Sequence, residues 1–530
     1  MKRNKTMALV LAGVMAASAL AGCGSKGVTA ETSKAGTSGK TEESSAAGEK
    51  TVDLEVWYTN TGFLEVKKDG PLYNFYKDMF GVGIVSPYVE WNGGTTYQEQ
   101  LNLKIAAGEA PDMFMPVNGM EADLVKNGAL LDLTDLLPEK APHLWETVPK
   151  EVWDVIRSYD PSGQGRIYMI PSVFDYPLMS AIIRQDWLDK LNLSMPETQE
   201  DFLNVLRAFK TQDPNGNGLA DEIPTGGRQE ARWMDYLFAM YGISMWEGFP
   251  QWDIYNGELT YSAVTPNMKD ALLFIRDLYK EGLIDPETLL NDKAGWEGKI
   301  NSDKVGIYYH WAQATYEYAT SLESATGVRA EWAVMPPISA PGYEGFYTEK
   351  KIKGIQWVLK NTDDQEKIDA AMKVLDAYGN KDLWQKFFLG VEGEHSKMVD
   401  GKLMKLPEDK KTMENLVLQP GKDISTIDSI TQLLESVKTD ETAWSIDQSI
   451  ANVQKMPNYG KLIAGDGMPN SVYEGYADIM NRTLYVEYAS KIITGEYPIE
   501  KFDEFVQKWN ASGGEAVTKA AREWYEKTQK

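Results

Sequence analysis

Asp213-Pro214-Asn215-Gly216-Asn217-Gly218-Leu219-Ala220-Asp221-Glu222 brings oxygen side chains together at a spacing that binds metal. Counted from Asp213, donors fall at positions 1, 3, 5 and 9; Gly218 takes the sharp-turn position 6, and Leu219 offers its carbonyl at position 7. This is the pattern of an EF-hand calcium loop. It departs at position 12, where Pro224 replaces the usual bidentate Glu. With no His or Cys nearby, a hard cation such as Ca²⁺ is favoured over zinc, and its expected role is structural, pinning a loop. The alternative is an Asx-rich surface turn.

The second chemical resource is aromatic: 16 Trp and 27 Tyr in 530 residues. Flat rings beside a few amides or carboxylates suit a pyranose, which presents apolar C–H faces and a rim of hydroxyls. Most of the rings must still be core. Phe502, Phe505, Val506 and Trp509 recur at helical spacing, and Trp187 and Trp524 read the same way. Catalytic signatures do not stand out: there is no Gly-x-Ser-x-Gly and no His-Glu-x-x-His, and His143, His310 and His395 are scattered.

Cys23 is the only cysteine, which removes disulfides and Cys-based zinc sites. Before it come Lys2, Arg3 and Lys5 and an apolar stretch from Met7 to Ala21, too short to span a membrane and read as a secretory signal. Leu20-Ala21-Gly22-Cys23 resembles a bacterial lipobox, whose cysteine is lipidated and becomes the mature N-terminus. Residues 1–22 are then the signal, and residues 23–51, rich in Ser, Thr, Gly, Ala, Glu and Lys, a flexible tether of roughly 25–30 Å reach. Within it Gly39-Lys40-Thr41 mimics the end of a phosphate loop, but Lys34 stands where the first Gly is required. A net charge of −24 argues against nucleic-acid binding.

Such a length calls for more than one core. Strand and helix patterns interleave. Val52 to Tyr58 alternates as a strand, Tyr97 to Ala107 reads as a helix, Pro111 to Met115 and Ala181 to Ile183 as strands, Asp186 to Leu191 and Met268 to Lys280 as helices, and Val305 to Tyr309 as a buried strand. Interleaving of this kind implies α/β lobes.

The lipobox and tether, Leu54-Glu55-Val56-Trp57, Ala107-Gly108-Glu109-Ala110-Pro111-Asp112, Tyr168-Met169-Ile170-Pro171-Ser172, Arg184-Gln185-Asp186-Trp187-Leu188 and Tyr279-Lys280-Glu281-Gly282-Leu283-Ile284-Asp285-Pro286 follow one another in a telling order. The chain resembles the extracellular solute-binding lipoproteins (family 1) of carbohydrate ABC transporters, nearest the large oligosaccharide- and alginate-binding subgroup. The resemblance implies a type II periplasmic-binding-protein-like clamshell, α/β, with ligand held between two lobes. Residues 52–172 and 358–395 form the expected N-terminal lobe; residues 173–357 and 396–530 form the other. It implies a non-enzymatic, monomeric protein on the extracytoplasmic face of the cell membrane, held only by its lipid, passing an oligosaccharide to permease subunits. The rival is a secreted glycoside hydrolase, which needs two carboxylates facing one glycosidic bond.

By the same resemblance, Glu222 supplies the calcium ligand missing at position 12, joining Asp213, Asn215, Asn217, Leu219 and Asp221. Trp311, leaving its strand in His310-Trp311-Ala312-Gln313, takes the place of a stacking aromatic. Trp57 and Asn60 lie where this fold puts ligand contacts. Trp444, in a polar stretch without an apolar face, is a second stacking candidate, and Trp233, Asn118, Asp175 and Trp357 complete the expected set. The overall acidity favours a neutral sugar unless a local cationic cluster outweighs it.

Overall fold

The computed structural model describes residues 51–528 apart from 59–64, 91–94, 118, 394, 400 and 406–423. Cys23, the signal, the tether, Asn60 and Asn118 therefore lie outside the described residues. Ten strands build the two larger sheets: β1 (Val52–Trp57), β2 (Val82–Val85), β3 (Met113–Phe114), β4 (Ile170–Phe174), β5 (Met179–Arg184), β6 (Ile223–Thr225), β7 (Val305–Trp311), β8 (Trp332–Val334), β9 (Ile352–Leu359) and β10 (Ile424–Ser425).

The first sheet has the order β10-β4-β9-β3-β1-β2, with β1 parallel to β2 and β3, and β9 antiparallel to β3 and β4. The second is β8-β5-β7-β6, with β6 and β7 parallel and β5 antiparallel to β7 and β8. Each sheet belongs to its own hydrophobic core. Leu54, Ile84, Met113, Val358 and Leu375 sit in the first; Ile182, Phe209, Leu272, Ile307 and Ile492 in the second. The return to the first sheet begins at Ile352, ahead of the expected position near Val358, and Ile424 adds a later strand to it.

Local signals explain the helices that cover these sheets. Thr265 accepts from the Met268 amide and Pro266 takes the first turn, so the helix Pro266–Glu281 starts there; Gly282 ends it at φ 72°. The helix Gln199–Thr211 opens on a capping box between Thr198 and Asp201 and buries Phe202, Val205, Leu206 and Phe209. Phe502, Phe505 and Trp509 pack inward as their spacing predicts, as do Trp187 and Trp524. Among the described residues no helix is long and apolar enough to cross a membrane.

Candidate ligand cleft

Strand direction decides where a ligand can sit. The chain leaves the first sheet at Phe174 and enters the second at Met179, and the partner of Met179 is Trp311. The C-terminal ends of β6 and β7 thus form the edge of the second sheet nearest the crossover. In the first sheet β9 begins at the crossover with Ile352 and pairs Val358 with Phe114, so β3, and β1 parallel to it, also point their C-terminal ends there. Open α/β sheets offer ligand sites at strand C-terminal ends.

A cleft of about 440 Å³ lies at this junction. Met115, Pro116 and Val117, following β3, line one side; Pro250, Gln251 and Trp252 line another, and Lys350, Ile352 and Ile355 come from the crossover. Tyr97 clamps the first wall, its hydroxyl donating to the carbonyl of Met115 at 3.0 Å and of Trp57 at 3.3 Å. Asp466 holds the floor, accepting from the amides of Lys351 at 2.7 Å and Ile352 at 3.1 Å. Burial raises its pKa, and its other oxygen is sealed without a partner.

At the ends of β6 and β7 the rings cluster. Trp233 lies 4.7 Å from Trp296 and 4.9 Å from His310, and His310 lies 6.0 Å from Trp311, between ring centroids. Trp311 is half-buried against the second core. His310 is held neutral: burial, with Lys293 and Arg228 behind it, drops its pKa to about 3. Around it His310 Nδ1, Trp233 Nε1, Gln229 Oε1 and Gln313 Oε1 are shut away from water with no hydrogen-bond partner. Sealed polar atoms of this kind cost free energy unless something completes them.

Several expected contacts are placed otherwise. Trp357 is fully buried in the central strand β9, against Tyr58 and Tyr378 at 5.2 and 6.2 Å, so it is core. Trp57 is 4% exposed, and its indole donates to Glu55 Oε1 at 2.7 Å. Trp233 is only 6% exposed, with the Arg228 guanidinium 4.2 Å over its ring, so it offers a support for Arg228 in place of an open sugar platform. Trp444 lies under Arg329, at 5.1 Å. Along the helix Ala443–Lys455, Gln448 bonds the Trp332 amide and Asn452 the Val334 amide. Trp332 pairs with Arg184, the distal end of β5, so Trp444 lies at the opposite end of the sheet from Trp311. Asp175 is exposed at the crossover, accepting from the Ile427 amide at 3.2 Å.

The 213–222 loop occupies the same distal end. Asn215 donates to the Asp303 carbonyl at 3.1 Å, and Lys304 pairs with Asp221 at 2.9 Å, both just ahead of β7. Asp213 accepts from the amides of Asn217 and Gly218, Asn217 from that of Leu219, and Gly216 and Gly218 turn at φ 75° and 76°. Both Glu222 carboxylate oxygens are buried and unpartnered, and burial, then the charges of Asp213 and Asp221, raise its pKa. Among the described residues no three His, Cys, Asp or Glu side chains gather into a metal set. The loop's remaining donors are Asn side chains and a carbonyl.

Sequence reading did not single out Lys350, at the cleft floor, nor Arg228 and Gln229 in the turn after β6. Only the pair Gly226-Gly227 just before Arg228 hinted at a special turn.

Comparison with known proteins agrees with this architecture. The chain is 26% identical over 490 residues to the fructooligosaccharide ABC transporter substrate-binding protein FusA of Streptococcus pneumoniae serotype 4, covering 83% of this chain and 85% of that one. It is 24% identical over 456 residues to the lipoprotein LipO of Bacillus subtilis, covering 83% and 86%. Among solved structures, an HMO binding, ABC-transporter associated solute binding protein from Bifidobacterium longum infantis superposes with a TM-score of 0.68 at 21% identity, over 90% of this chain and 99% of that one. A FusA EF-hand mutant in complex with fructo-nystose gives 0.62 at 20% identity, over 90% and 99%. These superpositions carry the fold: an α/β periplasmic-binding-protein-like architecture. With the profile described as bacterial extracellular solute-binding protein matching residues 68–382, on the same two sheets and crossover, the chain belongs to the bacterial extracellular solute-binding proteins.

Proposed function

We propose that this protein captures an oligosaccharide between two lobes and hands it to the membrane permease of an ABC importer. The observation that carries the reading is the junction of the two sheets, where strand C-terminal ends face a cleft lined from both sides and the half-buried Trp311 ends β7 on the same edge. Sugar sites need a flat apolar face beside a few fixed hydrogen-bonding groups. The ligands named for FusA and for the Bifidobacterium protein support the oligosaccharide class. Ligand touching both walls favours the closed form by its differential affinity, and the closed form docks on the permease.

Trp311 is the stacking platform of the second wall. Asn60 and Asn118 follow β1 and β3 and serve as amide partners from the first; Asp175 stands at the crossover. The lobes divide along the sheets, one holding β1 to β4, β9 and β10, the other β5 to β8. Cys23 carries the lipid that keeps the protein at the membrane. The loop of Asp213, Asn215, Asn217, Leu219, Asp221 and Glu222 holds a structural Ca²⁺. The buried, unpartnered Glu222 oxygens support that reading, as does the FusA structure described as an EF-hand mutant.

A thermal-shift screen over an oligosaccharide panel, followed by calorimetry on each hit and product analysis, tests the function. Saturable 1:1 binding without turnover is expected. Hydrolysis of the sugar, or no binding across the panel, contradicts it.

A further inference from the structure

Arg228 is a buried cation that nothing in the described protein neutralises. It is 8% exposed, its Nε is sealed without a partner, and among the described residues no carboxylate stands within ion-pairing distance. Its guanidinium lies 4.2 Å from the Trp233 ring. Glu247, Glu297 and Asp292 act on it only from farther off, and Arg232 opposes them; burial, then Arg232, lowers its pKa. An uncompensated buried charge costs several kcal/mol. This chain has 78 Asp and Glu for 54 Lys and Arg, so a counterion was readily to hand.

The loop that presents Arg228 is built stiffly and against local preference. Glu230, Ala231 and Trp233 hold left-handed backbone at φ 64°, 57° and 58°. Gly227 has no room for a side chain: a Cβ there would meet Met234 at 2.3 Å and the Arg232 carbonyl at 2.5 Å. Its amide donates to Thr288 Oγ1 at 2.7 Å, and the Arg228 amide to the Arg232 carbonyl at 2.8 Å. Strain held in place by such contacts gathers at binding sites.

The loop stands beside the cleft without contributing to its lining. It follows β6 at the edge where β7 ends, and through Arg232 it approaches the Phe249 ring, next to Pro250 on the cleft wall. Lys350, at the cleft floor, makes no hydrogen bond or ion pair among the described residues; its ammonium stands 5.7 Å from the Trp246 ring and acts from farther off on the Asp466 carboxylate. Glu121 lines the first wall, so negative charge on a ligand is disfavoured there and directed to the Arg228 side.

We infer that Arg228 is a specificity-determining residue that receives a carboxylate of the ligand, so that the cleft takes acidic, uronate-bearing oligosaccharides. This rests on the oligosaccharide-binding reading and narrows it. Hydroxyls alone would leave the charge uncompensated, whereas a carboxylate meets the guanidinium fork with two charge-assisted bonds. The chain's acidity argues for neutral sugar only as a global field, and the local cations override it.

The test uses the mature chain, calorimetry, and oligogalacturonate and oligomannuronate beside their carboxyl-reduced counterparts, in which each carboxylate is a hydroxymethyl. An acid form is expected to bind, its reduced form at least thirtyfold more weakly. Arg228→Gln loses that difference, and Arg228→Lys keeps part of it. The melting temperature of ligand-free Arg228→Gln stays level or rises, since an unpaired cation is gone; a structural arginine would lower it. Equal binding of acid and reduced forms, or acid binding untouched in Arg228→Gln, overturns the inference. Binding of neutral oligosaccharides alone overturns it and leaves oligosaccharide capture standing. Failure of every sugar defeats both.

Discussion

Trp311 and Trp444 are both half-buried indoles packed against the second core, and strand direction separates them. Trp311 ends β7 at the crossover edge, while Trp444 packs beside Arg329 at the far edge. Trp311→Ala is expected to weaken ligand binding at least tenfold, about 1.4 kcal/mol, with little change in melting temperature. Trp444→Ala is expected to lower the melting temperature and leave affinity unchanged. Calorimetry beside thermal scans reads both. The place of Trp311 at a strand end was legible because an apolar run gave way to His310-Trp311-Ala312-Gln313. The place of Trp444 was not, since a polar stretch says nothing about which end of a sheet it covers. Arg228 left no periodic signal at all, because its value lies in what is absent around it.

Asp235 supplies a second residue-scale test. It is fully buried, accepts from the Gly248 amide at 2.9 Å, and leaves its other oxygen unpartnered. Burial, reinforced by Glu247, raises its pKa to about 7. The folded state then keeps a proton that the unfolded chain releases near its ordinary pKa of about 4. This carboxyl therefore favours folding at low pH and loses that contribution as pH rises from about 4 through about 7. Asp235→Asn keeps the acceptor for Gly248 and removes the charge. Melting scans from pH 4 to 8 should show a flatter loss of stability toward neutral pH in the variant; an unchanged slope contradicts the assignment.

At the scale of elements, the second sheet depends on close approach of helix and strand. A Cβ on Gly306 in β7 would meet Phe209 Cδ2 at 2.3 Å and the Pro224 carbonyl at 3.0 Å. Gly306→Ala should therefore push the helix Gln199–Thr211 from the sheet and cost about 1–3 kcal/mol, read as a lower melting temperature. The 213–222 loop joins that helix to β6 and is braced against the start of β7. Calcium should raise the melting temperature of chelator-treated protein, and Asp213→Ala should abolish the rise; a chelated protein indifferent to calcium contradicts the site. Loop and helices were legible from Asx spacing, Thr265-Pro266 and Gly282, which act locally. The return at Ile352 was not, because pairing of β9 with β3 and β4 is set by residues far away in the chain.

At the scale of the whole molecule, two cores are joined by the crossovers Phe174 to Met179, the segment ahead of Ile352, and Ser425 into the helix Ile427–Val437, and touch besides where Tyr159 donates to the Gly467 carbonyl and Trp524 to Ser158 Oγ. Little apolar surface is shared there; Val155 and Leu433 are packed against both cores. Sheets joined in this way turn about their crossovers far more readily than they deform internally. Closure around ligand is the central claim, because capture without it leaves the permease nothing to distinguish. The direct measurement is small-angle X-ray scattering of the mature chain, alone and saturated with the oligosaccharide that stabilises it most. A smaller radius of gyration on saturation is predicted. Saturation proven by calorimetry with an unchanged radius of gyration would contradict it.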